Sequence, residues 1–365
     1  MRFFSDEGLY AANCFIVNDG PLVFTFDNMS TAAPLETRPG WGHDFFKNRN
    51  INVVSLLESN PRAWYRRADF LTLIDTLRKK IDLENFEKRI SYGGSMGGYA
   101  AAAFSPLLKC DTAILLNPIS TLSVDICPWE VRYEPCKSEN WSHSYHDAAA
   151  ELPQVPEVYI VVDSLFPLDR KHVDRFRVGS PSAAVYRMPG FGHGVEKYMN
   201  ELGVMKPFVM AAVAGHRPDR NWFANAIRGR RRTLRYYERM LRDNRLALTE
   251  HRKTVLIKHL ALTLASAKMT KPEALEAFIR ITRNIIPEED AELLAGLRAF
   301  TPKNPALPQL EQIVETSLRA KKNREEKDRE ERRQSQRVHA SQVASKGRGA
   351  SFFGDLRSTV NKIAG

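Results

Sequence analysis

Over its first 200 residues the chain alternates short, near-continuously apolar runs with longer stretches of helical spacing, and few architectures accept that rhythm. Apolar, β-branched runs fall at 14–17, 22–26, 53–57, 89–92, 112–116, 158–162 and 183–188. Helical patterns fill the intervals at about 63–80, 97–107, 169–177 and 194–213. Strands buried on both faces read as continuous apolar runs, and strands separated by helices pair in parallel, so the pattern predicts a mostly parallel α/β sheet flanked by helices. Residues 121–151 interrupt it. They hold Cys127, Trp129, Trp141, His143, Tyr145 and His146 without a period, and an excursion of that length between core strands reads as a lid or binding loop.

After Gly215 the style changes to helical spacing alone. Trp222, Phe223 and Ile227, then Leu234, Tyr237 and Leu241, then Val255, Leu256, Leu260 and Leu264 recur three to four residues apart. Lys271-Pro272-Glu273 and Pro287-Glu288-Glu289-Asp290 read as further helix starts. The expected organisation is therefore an α/β domain at 1–214, an all-α domain at 215–318, and a charged helix or linker at 319–365 with a short amphipathic end around Phe352, Phe353, Leu356, Val360 and Ile363.

Charge follows the same division. Residues 1–214 carry 22 basic and 25 acidic side chains, residues 215–310 carry 19 and 10, and residues 311–365 carry 13 and 8, so the +11 net charge belongs to the C-terminal part. An anionic or protein partner is expected for 215–365, with Arg228-Gly229-Arg230-Arg231-Arg232 and its adjacent tyrosines as the densest basic run. Solvated helix face is the blander account of that run. Four scattered cysteines fit a reducing compartment, the first residues turn acidic before an apolar leader could form, and no stretch is apolar enough to span a bilayer. A cytoplasmic protein without a membrane span is the expectation. Cys127, Cys136, His143 and His146 are spaced too widely for a zinc site, and the glycine-rich segment at 93–98 lacks the lysine and length of a phosphate loop, so no metal or cofactor is expected.

The chemistry concentrates at Gly93-Gly94-Ser95-Met96-Gly97-Gly98, where Gly-x-Ser-x-Gly joins a predicted strand to a predicted helix. A serine there is held on a strained turn, its glycine neighbours let strand and helix approach, and the following N–H, that of Met96, faces an oxyanion formed on the serine. A serine hydroxyl needs a base, and the base an orienting acid. His193, in Pro189-Gly190-Phe191-Gly192-His193-Gly194 after the 183–188 run, fits the base; Asp163, directly at the end of the 158–162 run, is the favoured acid over Asp169, which also suits a helix cap. A second oxyanion N–H is expected from Asn28 or Met29, while Trp41, His43, Trp64 and Tyr65 are candidates for pocket lining or core.

Together these motifs resemble the α/β-hydrolase superfamily over about residues 10–214. The resemblance implies Ser95 as nucleophile, His193 as base then acid, Asp163 as orienter, and cleavage of a small-molecule or polymer-linked acyl ester, thioester or amide. An acyltransferase would use the same three residues. The chain lacks the His-Gly-Gly-Gly oxyanion motif of many lipases, and its few N-terminal strands point to a trimmed version of the fold.

Overall fold

The computed structural model describes residues 1–29, 34–242 and 248–266, with scattered single positions thereafter. The elements run β1 (Arg2–Phe4), β2 (Tyr10–Phe15), β3 (Leu22–Phe26), α1 (His43–Lys47), β4 (Asn52–Glu58), α2 (Ala68–Lys80), β5 (Arg89–Gly94), α3 (Met96–Ala103), β6 (Thr112–Leu116), α4 (Ala148–Glu151), β7 (Glu157–Val162), α5 (Pro167–Gly179), β8 (Ala184–Arg187), α6 (Val195–Glu201) and α7 (Met205–Val213). Then follow α8 (Arg220–Ile227), α9 (Leu234–Arg242) and α10 (Glu250–Ser266).

The eight strands form one sheet in the order β1-β2-β4-β3-β5-β6-β7-β8, antiparallel at the β1–β2 and β2–β4 pairs and parallel elsewhere. This is the α/β-hydrolase arrangement, complete rather than trimmed. The N-terminal strands are inconspicuous in the sequence because β1 is three residues long and β2, from Tyr10 to Phe15, is interrupted by Asn13 and is not β-branched. β3 to β7 are buried almost throughout, and two apolar layers cover the sheet, one around Phe24, Leu56, Phe70 and Phe104, the other around Val53, Ile114, Tyr186 and Phe208. The C-terminal ends of β5, β7 and β8 lead to Ser95, Asp163 and the loop carrying His193, so three predicted site residues leave one edge of the parallel sheet.

The chain divides into two compact units, Met1–Ala247 and Leu248–Gly365. The first runs beyond the boundary read at residue 214, because α8 and α9 pack on the sheet unit: Phe223 meets Tyr186 at 5.3 Å between ring centroids, and Tyr236 meets Phe191 at 6.2 Å. Tyr236 and Tyr237 are buried, so the aromatic half of the basic run at 228–237 faces inward. In the second unit α10 buries Ile257, Leu260, Ala261 and Leu264. The helix starts read at Lys271 and Pro287, and the amphipathic end at 352–363, lie outside the described residues. No described helix is long and apolar enough to cross a membrane.

The 121–151 excursion is pinned to the body of the domain. Arg66 donates from Nε to the carbonyl of Asn140 (3.0 Å) and from its terminal nitrogens to those of His143 (3.2 Å) and Ser144 (3.0 Å), and the Tyr99 hydroxyl donates to the carbonyl of Tyr145 at 2.6 Å.

Candidate active site

Ser95 follows β5 directly and stands at the N-cap of α3 with φ +56° and ψ −116°, a backbone setting that a non-glycine residue occupies only when its surroundings impose it. They do so here through two bonds: its N–H donates to the carbonyl of Leu116 (2.9 Å) and its own carbonyl accepts from Tyr99 N–H (3.0 Å). The flanking glycines make the turn possible. A Cβ on Gly97 would lie 2.6 Å from the Phe26 carbonyl oxygen, and one on Gly93 would overlap the Gly97 carbonyl. That close approach also sets the end of β3 against the first turn of α3. Asn28 and Met29 thus follow directly on residues that touch this turn, and Met96, the first residue of α3, carries one of the helix N-terminal amides that have no acceptor within the helix. The β3 loop is braced by Asp27, which pairs with Arg38 and accepts from the N–H groups of Trp41 (3.1 Å) and Glu58 (3.3 Å); burial raises its carboxyl and Arg38 works against that rise.

His193 reaches the serine. Its Nε2 is 2.7 Å from Ser95 Oγ, and its Nδ1 is 2.9 and 2.8 Å from the two carboxylate oxygens of Asp169. With Nδ1–H donated to Asp169, the Nε2 lone pair is left to accept from the serine hydroxyl. The Asn117 amide nitrogen lies 3.2 and 3.3 Å from the two ring nitrogens.

The carboxylate facing His193 is therefore that of Asp169, not that of Asp163. Asp163 is buried at its strand end, but its carboxylate accepts from the backbone N–H groups of Leu165 (2.8 Å), Gly190 (3.1 Å) and Gly192, which shapes the histidine loop from behind. Burial raises the Asp163 carboxyl, partly offset by those amides. The loop turns through Gly192 at φ +67°, where a Cβ would overlap the guanidinium of Arg239 from α9.

Asp169 is fully buried, and its charge is met from the 121–151 excursion: Arg132 Nη1 donates to Asp169 Oδ1 at 2.8 Å. Arg132 is itself forked onto buried Glu130, with Nε to Oε1 at 2.9 Å and Nη2 to Oε2 at 2.6 Å. Glu130 Oε2 accepts from His172 Nε2 at 2.9 Å, while His172 Nδ1 accepts from Ser120 N–H at 3.1 Å. Burial alone would raise Glu130, but the bonds from His172 and Arg132 outweigh it and bring its carboxyl down to about 2. Burial lowers His172 despite Glu130. The Tyr133 hydroxyl, also from the excursion, lies 3.0 Å from His193 Nε2. None of Glu130, Arg132, Tyr133 or Asn117 carried a motif; the crowding of aromatic and ionisable residues in an aperiodic stretch was the one available sign.

The other candidates fall elsewhere. Trp41 packs on Tyr92 (4.6 Å between centroids), His43 is buried between Ser55 (3.1 Å) and Asn13 (3.3 Å), and Tyr65 is core; Trp64 meets the Tyr133 ring at 5.1 Å. Among the described residues no group of three His, Cys, Asp or Glu side chains is placed to hold a metal.

Glu196, three residues beyond His193, presses its carboxyl against Gly94 so closely that a Cβ there would overlap it. Burial pushes this carboxyl up to about 8; a bond from its own backbone N–H offsets part of the rise and the charge of Asp169 adds to it. Because the folded chain holds this proton through a range where the unfolded chain has lost it, Glu196 makes stability fall as pH rises from about 5 to about 8. Glu196→Gln should remove that part of the fall. Melting temperatures of both proteins at pH 6 and pH 9 test it, and parallel declines would show that the carboxyl ionises freely in the folded state.

No protein-family model and no curated protein sequence matches this chain. Its fold is similar to several solved structures. The capsule O-acetyltransferase of Neisseria meningitidis serogroup A is 12% identical, covering 55% of this chain and 91% of its own, with a TM-score of 0.41. The fluorophosphonate-binding serine hydrolase F of Staphylococcus aureus is 12% identical over 62% of this chain and 96% of its own, TM-score 0.39. A carboxylesterase of the thaumarchaeon Nitrososphaera gargenis is 14% identical over 59% and 99%, TM-score 0.38.

Proposed function

We propose that this chain is a serine-dependent acyl enzyme that cleaves an ester, or a related thioester or amide, through an acyl-Ser95 intermediate. The observation that carries the reading is the continuous chain from Ser95 Oγ to His193 Nε2 (2.7 Å) and from Nδ1 to a fully buried Asp169 (2.8 Å), built on a serine with positive φ. His193 Nε2 takes the serine proton as Oγ bonds to the acyl carbon, and the carbonyl oxygen becomes an oxyanion facing the N–H of Met96 and a second N–H from Asn28 or Met29. Collapse breaks the bond to the leaving group, which takes the proton from Nε2. An incoming hydroxyl, of water or an alcohol, then gives its proton to Nε2 as its oxygen attacks the acyl carbon, and collapse breaks the acyl–Oγ bond while Nε2 returns that proton to Ser95 Oγ. Asp169 holds the ring in the tautomer that both halves require and stabilises the imidazolium between them.

A fluorophosphonate probe tests this directly, because only an activated serine displaces its fluoride at useful rates. Intact mass should show one adduct on the wild type and none on Ser95→Ala. An unmodified, folded wild type would sink the reading.

A further inference from the structure

The Tyr133 hydroxyl is 3.0 Å from His193 Nε2, the same nitrogen that Ser95 Oγ approaches to 2.7 Å. Nε2 has one lone pair in the tautomer set by Asp169, and the serine hydroxyl fills it at 2.7 Å, so Tyr133 adds little to the resting bond. What it does is occupy space with a chemical identity. The oxygen that leaves the acyl carbon must collect a proton from Nε2, and the oxygen that discharges the acyl group must deliver one to it, so both must stand beside Oγ and about 3 Å from Nε2. Tyr133 has a hydroxyl at that place.

It is held there firmly. Its backbone is left-handed, φ 57° and ψ 29°; its ring meets Trp64 edge-on at 5.1 Å, and the Arg132 guanidinium lies 5.2 Å from the ring centre. Arg132 is in turn fixed between Glu130 and Asp169. Water brings no group that could replace a packed phenol. An ester donor or an alcohol acceptor brings a body that can take the vacated place against Trp64.

We propose that Tyr133 is a placeholder for the acceptor hydroxyl, so that acyl-Ser95 is discharged to a ring-bearing alcohol in preference to water. The proposal rests on the acyl-Ser95 reading. In the transfer the acyl–Oγ bond breaks as the bond from the acyl carbon to the alcohol oxygen forms, and the alcohol proton passes through Nε2 to Ser95 Oγ.

The full chain, Tyr133→Ala and Tyr133→Phe are to be acylated with p-nitrophenyl acetate, following the p-nitrophenolate burst, the acetyl adduct by intact mass, and its decay in buffer and in added benzyl alcohol. A long-lived wild-type adduct is expected, with decay in buffer about tenfold faster or more in Tyr133→Ala and accelerated less in Tyr133→Phe, which keeps the ring. Benzyl alcohol should hasten wild-type decay and yield benzyl acetate. If the adduct forms but Tyr133→Ala decays no faster, or if the wild type makes no benzyl acetate, the placeholder role is wrong while the acyl-enzyme stands. The wild-type measurement decides even if Tyr133→Ala fails to fold. Absence of an adduct on every protein would overturn the acyl-Ser95 reading and this proposal with it.

Discussion

Asp169→Asn is expected to lower turnover of an activated ester by about 10⁴-fold, the scale on which a triad histidine fails when its acid no longer fixes the tautomer. The carboxamide is nearly isosteric and keeps one oxygen for Arg132 Nη1, so folding should survive. Asp163→Asn makes the contrast. It loses acceptor capacity for the amides of Leu165, Gly190 and Gly192, which support the histidine loop without touching the ring. Its first effect should be a lower melting temperature, with a much smaller loss of turnover among the molecules still folded. Steady-state rates and circular dichroism melts on the two variants decide the matter. If Asp163→Asn is the protein that folds normally and loses activity, the acid role returns to Asp163.

That Asp169 rather than Asp163 faces the ring has a physical reason in α5. Helical spacing places the start of that helix at 169, which makes Asp169 a cap occupied with its own backbone. The helix begins instead at Pro167, with Asp169 in its first turn and its carboxylate free to face His193 and Arg132. Two residues of helix start thus decided which carboxylate reached the ring. The glycine-flanked turn at Ser95 was legible because its glycines answer to local contacts within the strand–turn–helix, and the core strands because burial on both faces demands unbroken apolar runs. The excursion was legible only as an anomaly. Arg132 and Tyr133 reach the site through contacts from Arg66, Trp64 and Asp169, partners distant in sequence that no spacing rule connects. The packing of α8 and α9 was not legible for a similar reason: helical spacing marks their apolar faces, but which surface those faces cover is a tertiary fact.

Arg132→Met should be the most destabilising single change near the site. Asp169 and Glu130 are both fully buried, and Arg132 is the cation that meets them together. Methionine keeps the apolar stem and the backbone N–H that donates to Glu130 Oε1 (2.8 Å) but removes the fork, which leaves the two buried carboxylates with that amide, His172 and His193 to donate and no cation between them. Removing one partner from a buried ion network costs about 3–5 kcal/mol, because the abandoned charge has lost its hydration and gained nothing. The pH dependence has a definite sign. Glu130 is held at about 2 in the intact protein, below its ordinary 4.5, so its contribution is present above pH 4.5 and is lost as pH falls toward 2. Without Arg132 that depression shrinks, and protonation of Glu130 should relieve the variant while it weakens the wild type. The gap between their urea midpoints should be widest near neutrality and narrow at pH 4. Turnover should fall as well, since Asp169 loses the bond that aims its carboxylate, and Glu130→Gln combined with Arg132→Met should cost less than the sum of the two. Equal midpoints for Arg132→Met and wild type at neutral pH would mean that the excursion does not clamp Asp169, and the reason for its entry into the site would have to be sought in Tyr133 alone.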